Sequence, residues 1–196
     1  MYNTIAKSYA AYITSKNQFW IKNPIKSQTK TLEFLIKKGK KTLFGQQHFF
    51  KDIRKYDEFK ESIPVRDYEE FKIYINRLIA GESDIIWPGT PEYFCKTSGT
   101  TSGVKYIPIS KESISTHINS ARDAILSYIY YTGNAKIFFG KQIFLQGSPT
   151  LEIINGIKTG RLSGIVAHHV PKYLQRSRMP TWNTNCIEDW EKKLKK

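Results

Sequence analysis

The sequence predicts an α/β fold in which short strands are flanked by helices. Three segments have apolar residues at three- and four-residue spacing, which is typical of amphipathic helices: 27–38, 67–80 and 110–131. Two shorter segments, 93–95 and 106–109, are aromatic or β-branched and are bounded by turn residues, as strands are. The chain of 196 residues is 40% hydrophobic and 14% aromatic, which is sufficient for one ordinary domain with a core.

The first part of the chain is predicted to be mainly helical. Pro24 is expected to end whatever helix forms in residues 2–22, because the residue before a proline avoids helical backbone angles. The next helix is predicted to begin with Ser27 as its N-cap and to end at Gly39. Residues 43–50 are predicted to form a loop.

The helix predicted over 67–80 has Asp67 as its N-cap candidate, since a short acceptor side chain can satisfy the free N–H groups of a first turn. Its buried stripe is predicted to consist of four apolar residues: Phe71, Ile75, Leu78 and Ile79. The segment 87–91 contains two prolines and a glycine. It is therefore predicted to be a rigid turn that leads into the first strand.

Between the two predicted strands lies a loop, residues 97–105, that is rich in hydroxyls and glycines. Gly99 and Gly103 allow positive φ angles and leave backbone N–H groups uncovered, so consecutive amides can converge on an anion. Lys105 supplies a positive charge, and four hydroxyls can donate to phosphate oxygens or ligate a magnesium ion: those of Thr97, Ser98, Thr100 and Thr101. The loop is interpreted as a phosphate cradle, with a flexible polar hairpin loop as the alternative.

The spacing of this loop excludes two better-known phosphate motifs. A Walker loop needs four residues between its glycines and then Gly-Lys-Ser/Thr, whereas Gly99 and Gly103 enclose three residues and Val104 follows. The dinucleotide fingerprint G-x-G-x-x-G is absent. The pattern that remains is Ser-Gly-Thr-Thr, three further residues and then a lysine.

The longest predicted helix, 110–131, has Ser110 as its candidate N-cap and Gly133 just past its end. One whole side of it is predicted to be apolar: Ile114, Ile118, Ala121, Ile125 and Tyr128. Arg122 lies at the edge of this stripe. Two interpretations are open, an arginine in a surface salt bridge or a guanidinium that meets a substrate carboxylate.

The C-terminal part contains shorter segments. Residues 142–145 are predicted to be a buried strand. Asn155-Gly156 is predicted to be a hairpin turn, with a second anion-binding loop as the alternative. His168 and His169 are adjacent, so in a strand they would point to opposite faces and could not share one metal ion. No metal site is therefore predicted.

The formal charge of +14 raises the question of a nucleic-acid partner. Residues 1–60 hold 13 Lys and Arg against 4 Asp and Glu, while residues 61–196 hold 18 against 13. The densest part of this excess, 37–41, is interpreted as a solvated patch at the C-terminal end of a helix. A nucleic-acid partner is not favoured, because no zinc-finger or RNA-binding signature accompanies the charge.

No apolar run reaches 18 residues, and the N-terminus lacks the basic and apolar regions of a signal peptide. The sequence therefore predicts a cytoplasmic location and no membrane partner. Cys95 and Cys186 are too few for a disulfide framework and are predicted to be buried free thiols.

Residues 98–105 resemble the phosphate loop of the adenylate-forming superfamily, whose common form is Ser-Gly-Thr-Thr-Gly-x-Pro-Lys. Ser102 stands in place of a glycine and Val104 in place of the proline. The longer segment 94–110 looks like bacterial members of the auxin-responsive acyl acid amido synthetase family. Two later segments resemble these proteins in the same order: 155–164 and 184–191.

This resemblance implies an ATP-dependent ligase that activates a carboxylic acid as an acyl-adenylate and joins it to an amino acid as an amide, with ATP and Mg²⁺ as cofactors. It also implies that five loop residues hold the β- and γ-phosphates: Ser98, Gly99, Thr100, Thr101 and Lys105. No catalytic residue is assigned. An acyl-CoA ligase shares the phosphate loop and stays open, as do a non-catalytic nucleotide- or anion-binding module and a basic nucleic-acid-binding domain.

Members of this family are well over twice as long as this chain. We therefore expect residues 1–196 to form the N-terminal part of one adenylate-forming domain. Residues 1–90 would be a mainly helical lead-in, and residues 91–196 would be the α/β phosphate-loop region. The C-terminal portion of the same enzyme is the expected partner, and the chain is expected to be inactive alone.

Overall fold

A computed structural model describes residues 2–97, 103–138 and 140–195. The chain begins with five helices: α1 (Tyr2–Lys22), α2 (Pro24–Gly39), α3 (Leu43–Gln47), α4 (Tyr56–Ser62) and α5 (Tyr68–Ile79). Strands and helices are mixed in the rest of the chain: β1 (Tyr93–Lys96), β2 (Tyr106–Ile109), α6 (Lys111–Thr132), a 3-10 turn (Lys136–Phe138), β3 (Gln142–Ile143), β4 (Glu152–Ile154), β5 (Ile157–Gly160), α7 (Leu162–Ala167), α8 (Lys172–Gln175), β6 (Arg178–Met179), α9 (Trp182–Asn185) and α10 (Trp190–Leu194).

Four of these strands form a small mixed sheet with the order β2-β1-β5-β4. β1 runs antiparallel to β2, with Lys96 opposite Tyr106, and parallel to β5. β4 and β5 are antiparallel, and β3 and β6 make a separate parallel pair. The predicted α/β class and the two strands that flank the loop are thereby confirmed.

The largest buried cluster joins the N-terminal helices to the sheet. Its members come from α2, α3, α5, β1, β5 and the intervening loops: Ile36, Phe44, Phe50, Ile53, Tyr74, Leu78, Ile85, Phe94 and Ile157. Because aromatic and aliphatic side chains from both halves of the chain share this cluster, its burial couples the helices to β1. β1 is the strand that enters the predicted phosphate loop.

The predicted N-cap of α5 is confirmed. The Asp67 side chain accepts a hydrogen bond from the backbone N–H of Glu70 at 2.9 Å, and the Glu70 carboxylate accepts one from the N–H of Asp67 at 3.0 Å. This reciprocal pair is a capping box, which satisfies two N–H groups that the helix itself leaves free. The first turn of α5 is therefore held in place.

Two expectations about the N-terminal helices are wrong. α2 begins at Pro24, with Asn23 at the N-cap position, instead of at Ser27. The fixed φ angle of proline suits the first helical position, where its missing N–H costs nothing. Residues 43–47 form a helix instead of a loop, and Thr42 caps it by accepting a hydrogen bond from the N–H of Gly45 at 3.1 Å.

The boundaries predicted for α6 are confirmed, with the Ser110 hydroxyl accepting from the N–H of Ser113 at 3.1 Å. Its apolar side is not one stripe. Ile114 packs against the sheet, whereas Leu126 and Ile129 are buried against α1. Tyr128, predicted to lie in the stripe, is 44% exposed. The helix has 22 residues and changes its packing partner along its length, so its buried face changes too.

The predicted hairpin turn between β4 and β5 is confirmed. Asn155 and Gly156 have φ angles of +46° and +82°, which are the two left-handed positions of a type I′ turn. The buried strand predicted over 142–145 is wrong, because β3 has two residues and Leu145 is 95% exposed.

His168 and His169 follow α7 and do not lie in a strand. His168 Nε2 is 2.7 Å from the carbonyl oxygen of Pro149, and His169 Nε2 is 3.1 Å from the hydroxyl of Tyr93. Within the described ranges, no group of three or more His, Cys, Asp or Glu side chains could hold a metal ion.

Cys95 and Cys186 are free thiols, as predicted, but each is only partly buried. Burial raises the pKa of the Cys95 thiol, so the thiol stays protonated near neutral pH. No helix in the described part of the chain has the length and apolar character needed to cross a membrane.

Candidate phosphate-binding site

The β1–β2 hairpin carries the predicted phosphate loop at one end of the small sheet. Four of the predicted phosphate ligands lie outside the described residues: Ser98, Gly99, Thr100 and Thr101. The fifth, Lys105, is described, together with Thr97 before the loop and Gly103 within it. The described part of the site is thus the base of the loop and its lysine.

The base of the loop is closed by a backbone hydrogen bond. The N–H of Thr97 donates to the carbonyl oxygen of Lys105 at 3.0 Å, which extends the ladder by one pair beyond β1 and β2. Gly103 has a φ angle of +79°, a region that side-chain-bearing residues avoid. The sequence prediction that Gly103 provides positive φ is therefore confirmed.

Lys105 is partly buried, and its ammonium lies over an aromatic ring. Its Nζ is 5.1 Å from the ring centroid of Tyr68, the first residue of α5, within the range of a cation–π contact. The Tyr68 hydroxyl accepts a hydrogen bond from the N–H of Tyr106 at 2.9 Å. Sequence reasoning missed Tyr68, because it precedes Lys105 by 37 positions and belongs to a different element.

A second lysine lies on the other side of the loop base. Lys96, the last residue of β1, forms an ion pair with Glu152 of β4. The Lys96 side chain is 26% exposed and that of Glu152 is 66% exposed, so water screens much of the pair. The Lys96 ammonium is thus paired with a carboxylate, whereas Lys105 contacts a neutral ring.

Arg122 lies on α6 and is paired with its neighbour. Its Nε donates to Asp123 Oδ1 at 2.8 Å, and Asn17 of α1 donates to Asp123 Oδ2 at 3.0 Å. Burial raises the pKa of Asp123, but the hydrogen bonds from Asn17 and Arg122 outweigh it and hold the pKa below its usual value. Arg122 therefore forms a salt bridge with Asp123, and the described contacts do not join Arg122 to the loop.

A shallow groove of about 190 Å³ lies at the end of β2 remote from the loop. It is lined mainly by the proline-rich turn that precedes β1, together with Pro108 and Ser110. At this groove the Trp87 ring N–H donates to Glu112 Oε2 at 3.1 Å. The turn predicted over 87–91 therefore packs beside the hairpin that it leads into.

This architecture, a small mixed sheet with flanking helices, matches part of the fold of solved acyl acid amido synthetases. The chain superposes on the structure of "GH3.15 acyl acid amido synthetase" with a TM-score of 0.76 and 20% identity, over 94% of this chain and 32% of that chain. It superposes on "AtGH3.15 acyl acid amido synthetase in complex with 2,4-DB" with a TM-score of 0.67 and 22% identity, over 82% and 28%.

Residues 16–195 match the GH3 family N-terminal domain, and the chain therefore belongs to the GH3 family. A relative from Arabidopsis thaliana, "Indole-3-acetic acid-amido synthetase GH3.15", is 31% identical over 109 residues, which are 54% of this chain and 18% of that protein. The chain thus spans about a third or less of the length of these relatives.

Proposed function

We propose that this chain is the phosphate-binding part of an ATP-dependent ligase that joins a carboxylic acid to an amino acid. The observation that carries the proposal is the match of residues 16–195 to the GH3 N-terminal domain, whose relatives bear the name acyl acid amido synthetase. The loop at 97–105 supports it, since its lysine and its positive-φ glycine lie at the closed end of a hairpin.

In the proposed reaction the carboxylate of the acid attacks the α-phosphorus of ATP and pyrophosphate leaves. Negative charge grows on the departing phosphates, so the chemistry needs positioned N–H and O–H donors and a cation more than a covalent nucleophile. Lys105 would supply the cation. The donors would be the amides and hydroxyls of residues 98–101. The amine of the amino acid then attacks the acyl carbon and AMP leaves.

The described residues offer no carboxylate cage for a magnesium ion. Mg²⁺ usually binds through substrate phosphates, keeping several waters, with one or two protein oxygens. The hydroxyls of the loop fit that mode. The ion would neutralise charge on the phosphates, while Lys105 and the loop amides would hold the phosphates in place.

We expect Lys105→Ala to weaken the binding of ATP-Mg by about 10- to 100-fold, because a charged hydrogen bond contributes about 1.5–3 kcal/mol and each 1.4 kcal/mol is tenfold in affinity. Isothermal titration calorimetry measures this change. Lys111→Ala is the matched control, since Lys111 carries the same charge just after β2 at the end remote from the loop. It should bind ATP-Mg like the parent chain.

Equal ATP affinity in Lys105→Ala and the parent chain would contradict the proposed site. A parallel titration with an oligonucleotide distinguishes the proposed ATP site from a nucleic-acid-binding function. Binding that falls steeply with salt and is unchanged by Lys105→Ala would favour a basic nucleic-acid-binding domain instead.

We also propose that residues 1–90 are a helical lead-in to the phosphate-loop region at 91–196, and that the chain needs the C-terminal portion of the enzyme for turnover. Its relatives are about three times as long. We therefore expect no exchange of labelled pyrophosphate into ATP when the 196-residue chain is mixed with a panel of carboxylic acids. Robust exchange by this chain alone would overturn the expectation.

Arg122 is proposed as a contact of the acyl substrate. Asp123 already accepts a hydrogen bond from Arg122 Nε. The guanidinium would therefore have to release Asp123 to bind the substrate carboxylate, or bind both carboxylates at once. The planar fork of arginine suits such a bidentate contact.

A further inference from the structure

Tyr106, next to Lys105, lies in the edge strand β2, and its backbone N–H and C=O have no partner in a neighbouring strand of the described chain. Thr97 and Lys105 form a hydrogen-bonded pair, so the next pair, Lys96 and Tyr106, is a non-hydrogen-bonded one. The N–H and C=O of Tyr106 therefore point away from β1. β2 is the first strand in the order, and no strand of the described chain lies beyond it.

The side chain of Tyr68 occupies this position. Its hydroxyl is 2.9 Å from the nitrogen of Tyr106, from which it accepts, and 3.4 Å from the carbonyl oxygen of Tyr106. The face of the same ring lies 5.1 Å from the Nζ of Lys105. One side chain thus contacts the backbone just after Lys105 and the ammonium at the tip of Lys105.

Tyr68 is itself held by the helical part of the fold. It follows Asp67, whose capping box fixes the first turn of α5. One residue earlier, Arg66 contacts His48 Nε2 at 3.0 Å, and His48 Nδ1 is 3.0 Å from the carbonyl oxygen of Ser62. Because Arg66 can only donate, His48 accepts at Nε2 and donates from Nδ1. Contacts among α3, α4 and α5 therefore hold the start of α5, where Tyr68 lies.

We propose that Tyr68 is a positioning residue for Lys105, fixing the ammonium beside the phosphate loop before nucleotide binds. A lysine side chain has several rotatable bonds, and ordering it on binding costs affinity. Because the ring of Tyr68 already restricts the Lys105 side chain, less affinity is lost in ordering it when nucleotide binds. This inference rests on the proposed function, in which Lys105 contacts the phosphates of ATP.

A double-mutant cycle tests the inference. We expect Tyr68→Leu to weaken the binding of ATP-Mg about five- to tenfold, and Tyr68→Phe, which keeps the ring, about two- to threefold. In the Lys105→Ala background neither change should weaken it further, because the effect runs through Lys105. Tyr173→Leu is the control, since Tyr173 is 74% exposed on α8, and it should bind ATP-Mg like the parent chain.

If Tyr68→Leu lowers the affinity for ATP-Mg by the same factor in both backgrounds, the inference is overturned, because Tyr68 would then act on the protein structure in general and not through Lys105. If Tyr68→Leu does not unfold cooperatively, the double-mutant cycle is measured with Tyr68→Phe instead. An equal loss of ATP-Mg affinity by Tyr68→Phe in both backgrounds overturns the inference in the same way.

A second measurement needs no nucleotide. In the NMR spectrum of the lysine-labelled chain, the ε-methylene protons of Lys105 should be shifted upfield by the ring of Tyr68. We expect the shift to persist in Tyr68→Phe and to vanish in Tyr68→Leu. An unchanged shift in Tyr68→Leu refutes the contact. A different outcome separates the two proposals. If the parent chain shows the upfield shift of Lys105 but Lys105→Ala binds ATP-Mg with unchanged affinity, only the proposed function is refuted.

Discussion

Gly45→Ala is expected to destabilise the protein by about 3 kcal/mol or more, enough to remove much of the stability of a typical domain. A Cβ atom built on Gly45 lies 2.8 Å from the carbonyl carbon of Gly39 and closer still to its oxygen. Both neighbours are backbone, so no flexible side chain can turn aside. α3 would have to move away from the end of α2.

The carbonyl oxygen of Gly39 is also the acceptor that closes this corner. The N–H and the hydroxyl of Thr42 both donate to it, at 2.9 and 2.7 Å, and Thr42 is almost fully buried. Displacing α3 would leave buried donors without partners, which adds to the cost of the clash.

Chemical denaturation of Gly45→Ala measures the change in the free energy of unfolding. Gly140→Ala is the matched control, because a Cβ at Gly140 meets no atom of the described residues within 4 Å and its backbone does not need positive φ. It should stay within about 0.5 kcal/mol of the parent chain. A loss below about 1 kcal/mol in Gly45→Ala would show that α3 does not lie against Gly39 as described.

Phe94→Ala is expected to cost about 3–5 kcal/mol, the range for removing a buried aromatic side chain. Phe94 is 0% exposed and belongs to the cluster that joins α2, α3 and α5 to the sheet. It lies in β1, two residues before Lys96, and its ring makes an edge contact with Tyr106 at 6.2 Å between centroids. Its loss should therefore loosen the hairpin that carries the loop.

Unfolding of Phe94→Ala in denaturant is to be compared with Phe19→Ala. Phe19 is the same residue type but is 51% exposed on α1, so its removal should change stability by about 0.5 kcal/mol or less. Equal losses in the two variants would mean that burial at Phe94 does not stabilise the fold.

Several features that depend on residues a few positions apart were predicted correctly. Asp67 and Ser110 cap their helices because the acceptor and the N–H it satisfies are three residues apart. The turn at 155–156 follows from the tolerance of asparagine and glycine for positive φ. The strands on either side of the loop followed from aromatic and β-branched residues between turn signals.

Features that depend on distant neighbours were missed. The helix at 43–47 is stabilised from outside, since the N–H groups of Leu43 and Phe44 donate to the carbonyls of Asp84 and Ile85. In the run at 142–145, Ile143 and Leu145 are exposed and the ring of Phe144 meets Arg178, because a hydrophobic run alone does not specify its neighbour.

The sequence by itself determined the α/β class, the caps of α5 and α6, the hairpin at 93–109 and, through the motif that ends in Lys105, the family. These depend on local backbone preferences and on residue spacing. Only the tertiary structure decided what Lys105 and Arg122 contact. The ring of Tyr68 meets Lys105 across 37 positions of sequence, and Asn17 of α1 joins the Arg122–Asp123 pair across more than a hundred. Such contacts arise when packed helices and strands bring remote residues together, and no local pattern encodes them.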